Sequence, residues 1–198
     1  MALFDRLSPA RRGGARSDSA AALYAAAVAQ AREPFFYTAH GVPDTLDGRF
    51  DLIVLHVHLV CRRLARAGEA GAATAQALFD TMFKDMDRNL REMGVGDPSV
   101  LRRIKAMVQA YYGRIKAYDA ALSAGGGALA QAIARNVYNA APETGATPPS
   151  GAPALADYVR SAAAGLDGAD PAALLAGRVE FPPPIAAPSA EAAQNHRH

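Results

Sequence analysis

The chain has 198 residues, enough for one domain with tails and for a core able to fold on its own. Its 21 Lys and Arg nearly balance 19 Asp and Glu, which argues against nucleic acid as the main partner. A lone cysteine, Cys61, excludes an internal disulfide and fits a reducing compartment, and no apolar run reaches the roughly 18 residues that a membrane span needs.

Apolar residues make up 51% of the chain, much of it alanine, with 7% aromatics and no Trp, a composition that predicts helix throughout. Residues 1–17 read as a disordered basic arm in which Arg6, Arg11, Arg12 and Arg16 outnumber Asp5. Ser17 or Asp18 then caps a helix running to about Arg32, where Pro34 stops it. The alanine run behind Arg11-Arg12 imitates a secretory signal. Asp18, Gln30 and Arg32 bracket that run, however, and alanine is weakly apolar, so it reads as a first core helix. Pro34–His40 gives a further turn or two that inserts Phe35 and Phe36, and Gly41-Val-Pro43 is a turn. Asp44 with Asp47 three later resembles a capping arrangement.

From Arg49 to about Arg66 apolar residues occupy nearly every side, which marks a central helix enclosed by others. Gly68–Gly71 links it to an amphipathic helix over about 73–93. On that helix Leu78, Phe79, Met82, Phe83, Met86, Leu90 and Met93 form one stripe, opposite Asp80, Lys84, Asp85, Asp87, Arg88, Arg91 and Glu92. Asp80 with Lys84, and Asp87 with Arg91, are acid-before-base pairs four apart. Gly94 is the expected left-handed residue after the helix, with Asp97 as N-cap and Pro98 opening a helix to Leu122. Gly125–Gly127 breaks the chain before a short helix at 128–139, and a Pro-rich loop covers 141–153. A last helical pair occupies 155–166 and 172–176, and Phe181 onward reads as a Pro/Ala-rich tail. The resulting expectation is all-α: a single compact bundle of about six to seven helices over 18–177, flanked by the arm at 1–17 and the tail at 178–198.

Residues able to do chemistry lack accomplices. His56 and His58 are two apart, about 200° around a helix, so they cannot share an ion and read as hydrogen-bonded core histidines. Asp80, Asp85 and Asp87 suggest a Mg²⁺–diphosphate helix, but Lys84 sits at the needed fourth position and no second acidic cluster exists. A solvated ion-pair lattice is the simpler reading. Its pairs add little stability, so its density points to recognition. Cys61 beside Arg62-Arg63 reads as a buried, inert thiol, and Gly125–Gly127 lacks the strand and Lys-Ser pair of a phosphate loop. Tyr111, Tyr112 and Tyr118 near Arg114 and Lys116 offer either stacking for RNA or a core face beside a solvated basic one. No catalytic residue, metal ligand or cofactor is expected.

The string FDTMFKDMDRNLREMGVGD at 79–97 resembles the signature of the ubiquinol–cytochrome c chaperone family. Gly41-Val-Pro-Asp-Thr-Leu-Asp-Gly-Arg-Phe-Asp51 and Tyr111-Tyr-Gly-Arg-Ile-Lys-Ala-Tyr-Asp119 are similar to the same family, over roughly 20–140. The resemblance implies a non-catalytic chaperone that binds newly made cytochrome b during complex III assembly. It further implies a small partner protein or a ribosome as additional contacts, and work at the inner face of the cytoplasmic membrane. A chain without the anchoring and transit segments of mitochondrial members resembles a bacterial, cytoplasmic form. By motif position, partner contacts are expected at Asp47, Arg49, Phe83, Asp87, Arg88, Arg91, Glu92, Tyr112, Arg114 and Tyr118, with Gly48, Gly94 and Asp97 structural. Asp87, Arg88 and Arg91 are the first candidates for the client. Two other readings stay open: an all-α Mg²⁺–diphosphate enzyme, and an RNA- or ribosome-associated adaptor using the basic 98–118 face.

Overall fold

Helix α3, Leu46–Leu64, is the axis of the molecule. Residues 52–60 of it are buried without interruption, as apolar residues on every side require. In the computed structural model, which describes residues 9–140 and 149–184 (side chains from residue 13), seven further helices surround it. These are α1 (Pro9–Ala31), α2 (Pro34–Thr38), α4 (Gly68–Glu92), α5 (Asp97–Ala124), α6 (Ala128–Asn136), α7 (Gly151–Gly168) and α8 (Pro171–Leu175). Two of the eight, α2 and α8, are five-residue single turns. No strand occurs among the described residues, so the fold is all-α as expected. Helices α1, α4, α5, α7 and α8 all pack on α3, and α6 lies between α5 and α7.

Several boundaries differ from the sequence reading, each for a local reason. Pro9 sits where its missing N–H costs nothing, and alanine and arginine carry α1 through Gly13-Gly14; residues 9–17 of the basic arm are therefore helical. Residues 1–8, and 185–198 of the tail, lie outside the described residues. Thr45, not Asp44, caps α3: its Oγ1 accepts from Gly48 N at 3.1 Å, while Asp44 pairs with Arg49 at 2.6 Å. Gly48 is needed there, because a Cβ would stand 2.1 Å from the Pro43 carbonyl oxygen. Gly96 takes the N-cap position of α5, and Asp97 is its first helical residue. Beyond α8, Val179 and Phe181 pack against the core, so the domain runs past residue 177.

Gly94 behaves as the sequence predicts. Its φ is +79°, Gly94 N–H donates to Arg91 O at 2.9 Å, and Val95 N–H donates to Leu90 O at 3.1 Å. This is the Schellman pattern, which satisfies the last carbonyls of α4 and turns the chain sharply into α5.

Candidate partner-binding groove

The charged face of α4 is a network whose members do different jobs. Asp85, mostly covered, accepts from Tyr24 Oη of α1 at 2.8 Å and from Asn89 Nδ2 at 3.2 Å, and pairs with Arg88. It therefore clamps α4 to α1. Burial, reinforced by that hydrogen bond to a carboxylate, holds the Tyr24 hydroxyl well above its ordinary range. The expected Asp87–Arg91 pair forms at 2.6 Å, and the same guanidinium also pairs with Asp97, stapling the end of α4 to the start of α5. Asp80 takes Gln76 Nε2 at 2.8 Å instead of Lys84. Arg88 and Glu92, each 67% exposed, are left facing solvent.

Where α4 and α5 diverge from α3, a groove of about 750 Å³ opens. Helix α3 contributes Leu46 and Phe50 to its surface, α4 contributes Met86 and Met93, and α5 contributes Met107. Leu46 and Met93 stand 64% and 55% exposed at its lips. The rim holds four arginines (Arg32, Arg49, Arg103 and Arg114) against two acids, Asp47 and Glu92. Three thioethers on one concave face make a soft, re-packable surface, suited to apolar segments of irregular shape.

Four expected contact residues, Asp47, Arg49, Glu92 and Arg114, line this groove. Asp87, Arg88 and Arg91 lie outside its lining, on the outer side of α4. Phe83 and Tyr118 are corrected to core. Phe83 is buried with its ring 4.7 Å from Phe79 and 6.1 Å from Tyr111, and Tyr118 is wholly buried. Side chains closed in by neighbouring helices have no surface to offer a partner. Tyr112 is exposed and packs its ring 5.8 Å from that of Phe79. The sequence reading missed Arg32, Leu46, Met86, Arg103 and Met107, because four helices bring them together. The only local signal was methionine recurring on otherwise core-like stripes.

Beneath the groove Arg114 reaches to 2.7 Å from Asp51, which is 1% exposed. The contact is an ion pair of poor hydrogen-bond angle, and neither Asp51 oxygen has a well-formed hydrogen bond among the described residues. Burial pushes the Asp51 carboxyl up to about 7, with Arg114 opposing.

The histidines diverge as their spacing demands. His56 Nδ1 lies 2.7 Å from Leu52 O and Nε2 lies 2.8 Å from Tyr158 Oη. The carbonyl can only accept, so Nδ1 carries the proton and Nε2 accepts from the tyrosine. His58 turns the other way, to Asp119 at 3.0 Å. Burial pushes the Cys61 thiol up to about 12, which makes it a poor nucleophile at neutral pH. No group of three or more His, Cys, Asp or Glu side chains among the described residues is placed to hold a metal ion. Asp80, Asp85 and Asp87 are each engaged by protein groups.

Residues 38–181 match the family model described as Ubiquinol-cytochrome C chaperone. The chain belongs to that family. The match begins at Thr38, later than the start of the 20–140 span of the sequence resemblance, and runs past its end through α7 and α8 to Phe181. Within it lie all the groove residues named above except Arg32. Proteins named ubiquinol–cytochrome c reductase complex assembly factor 1 are similar to this chaperone-family chain. The one from Xenopus laevis is 27% identical over 104 residues, covering 52% of each chain. Those from Mus musculus and Homo sapiens are each 29% identical over 154 residues, 76% of this chain. The chain spans about half the length of these relatives. The crystal structure of the Cbp3 homolog from Brucella abortus superposes with a TM-score of 0.76 at 35% identity, covering 88% of this chain and 94% of that one.

Proposed function

We propose that this chain is a non-catalytic assembly chaperone for the ubiquinol–cytochrome c reductase complex, and that it holds cytochrome b through the groove between α3, α4 and α5. The observation that carries the reading is the groove itself. It is an apolar, methionine-lined concavity rimmed by arginines, in a chain of a chaperone family, and two of the three segments that first suggested that family supply most of its lining. The relatives' name, reductase complex assembly factor, supports the same direction. An apolar client segment docked there would exchange water for thioether and aliphatic contacts, while the charged rim selects its orientation. Burying that segment keeps it from associating with anything else until its own partners arrive.

The experiment is co-purification of cytochrome b with the full chain and with a Leu46→Glu/Met93→Glu variant, both positions being exposed at the lips. Two buried-on-binding carboxylates should lower recovery on the order of tenfold or more, with the circular dichroism spectrum unchanged. Undiminished recovery would show that the client docks elsewhere. Normal reductase assembly in cells lacking the chain would overturn the assembly role itself.

A further inference from the structure

Helix α5 has three faces, and two are accounted for. With about 100° per residue, Ile104, Tyr111, Ile115 and Tyr118 share the arc that packs into the bundle. Arg103, Met107, Ala110 and Arg114 share the arc that lines the groove. The third arc holds Arg102, Lys105, Gln109, Tyr112 and Lys116, at steps of three and four and all exposed. It runs for about 21 Å of helix.

This third face is uniformly cationic. The two acids of α5 are turned to other work: Asp97 pairs with Arg91, and Asp119 with His58 and Arg62. Arg102 touches Ser99 Oγ at 3.5 Å, and none of Arg102, Lys105 and Lys116 has an ion pair among the described residues. Two large apolar side chains stand on the same side, Leu101 at 68% exposure and Tyr112 at 55%. They distinguish between anionic surfaces. Tyrosine suits nucleobase stacking and the lipid headgroup layer alike, but an exposed leucine gains nothing on a phosphodiester strand and gains burial among acyl chains.

We propose that this face of α5 rests on an anionic lipid bilayer, with Arg102, Lys105 and Lys116 over the headgroup phosphates and Leu101 and Tyr112 set into the interface. This face would attach peripherally, through headgroup contacts and shallow insertion; no helix among the described residues is long and apolar enough to cross a membrane. Three cations and one shallow aliphatic anchor give a reversible attachment that salt weakens. The groove lies on the neighbouring arc of the same helix, so it would open close to the lipid surface.

The test is flotation of the full chain with vesicles of phosphatidylcholine alone and of phosphatidylcholine with phosphatidylglycerol. Binding should appear with the anionic vesicles, be weak with the neutral ones and fall as salt rises. Lys105→Glu/Lys116→Glu should reduce it on the order of tenfold or more, and Leu101→Ser should reduce it without changing the salt dependence. If the charge reversals disturb the fold by circular dichroism, Lys105→Gln/Lys116→Gln gives the same comparison at lower cost. Equal binding to both vesicles, or no binding, overturns the proposal. So does loss only on replacing Arg11 and Arg12. Binding to a single-stranded RNA oligonucleotide that the same reversals abolish, with vesicle binding intact, would reassign the face to nucleic acid.

Discussion

Arg114 Nη2 stands 2.7 Å from Asp51 Oδ1, an ion pair made between α5 and the central helix directly under the groove. With its carboxylate 1% exposed, Asp51 depends on that guanidinium. Arg114→Met should therefore destabilise the fold by roughly 1–3 kcal/mol near neutral pH, because Asp51, already held up to about 7, loses its opposing cation and must either stay charged and unpaired or take up a proton. Adding Asp51→Asn should recover much of the loss. Urea midpoints of the two single variants and the double variant check this, and an additive double variant would mean that the two groups do not interact.

Two buried groups on α3 titrate with opposite sign. Asp51 rises from 3.8 to about 7, so the folded state binds more protons than the unfolded one in that window, and its contribution to stability grows as pH falls through it. Burial lowers His56 from 6.5 to about 4, so the unfolded state binds more protons there, and its contribution shrinks as pH falls from 6.5 toward 4. The two slopes oppose each other in the wild type. Asp51→Asn should expose a marked loss of stability on acidification, and His56→Gln should give the reverse. Denaturation midpoints measured down through this window decide it; parallel profiles for both variants would refute the assignment.

Gly94→Ala should cost about 1 kcal/mol, because φ +79° suits glycine and strains any side chain that carries a Cβ. The loss should appear in thermal unfolding without loss of client recovery, since Gly94 shapes the corner and does not line the groove.

The α4 lattice can be tested apart from the groove. Arg91 joins Asp87 to Asp97 across the helix corner, so reversing its charge would disturb the fold as well as the surface. Arg88 is the cleaner probe, being 67% exposed. Arg88→Glu should change stability by less than about 1 kcal/mol. If the lattice touches cytochrome b, the same change should lower its co-purification; unchanged recovery would confine docking to the groove.

The sequence disclosed what lies within one helix or one corner. The stripe of α4, the Asp87–Arg91 pair and the left-handed Gly94 follow from spacings of one to seven residues, and so does the divergence of His56 from His58. The groove did not show, because Arg32, Leu46, Met86 and Arg103 meet only after four helices have packed. Phe83 and Tyr112 illustrate the limit. Both are aromatic residues within family-like strings, yet Phe83 is buried beside Tyr111 of α5 and Tyr112 is exposed, and periodicity alone does not fix which arc of a helix its neighbours cover. The Tyr158 partner of His56, 102 residues away, was equally invisible.

Phe181 lays its ring edge against the imidazole of His56 at 5.1 Å, and Gln30 Nε2 donates to the next carbonyl, Pro182 O, at 3.4 Å. The short segment after α8 thus works as a gasket, keeping solvent off the buried imidazole of His56. Trimming the protein back to Gly177 would hydrate that ring and let it take up a proton more readily. The folded and unfolded states would then bind that proton more nearly alike, so the share of acid sensitivity carried by His56 would shrink although no helix had been touched.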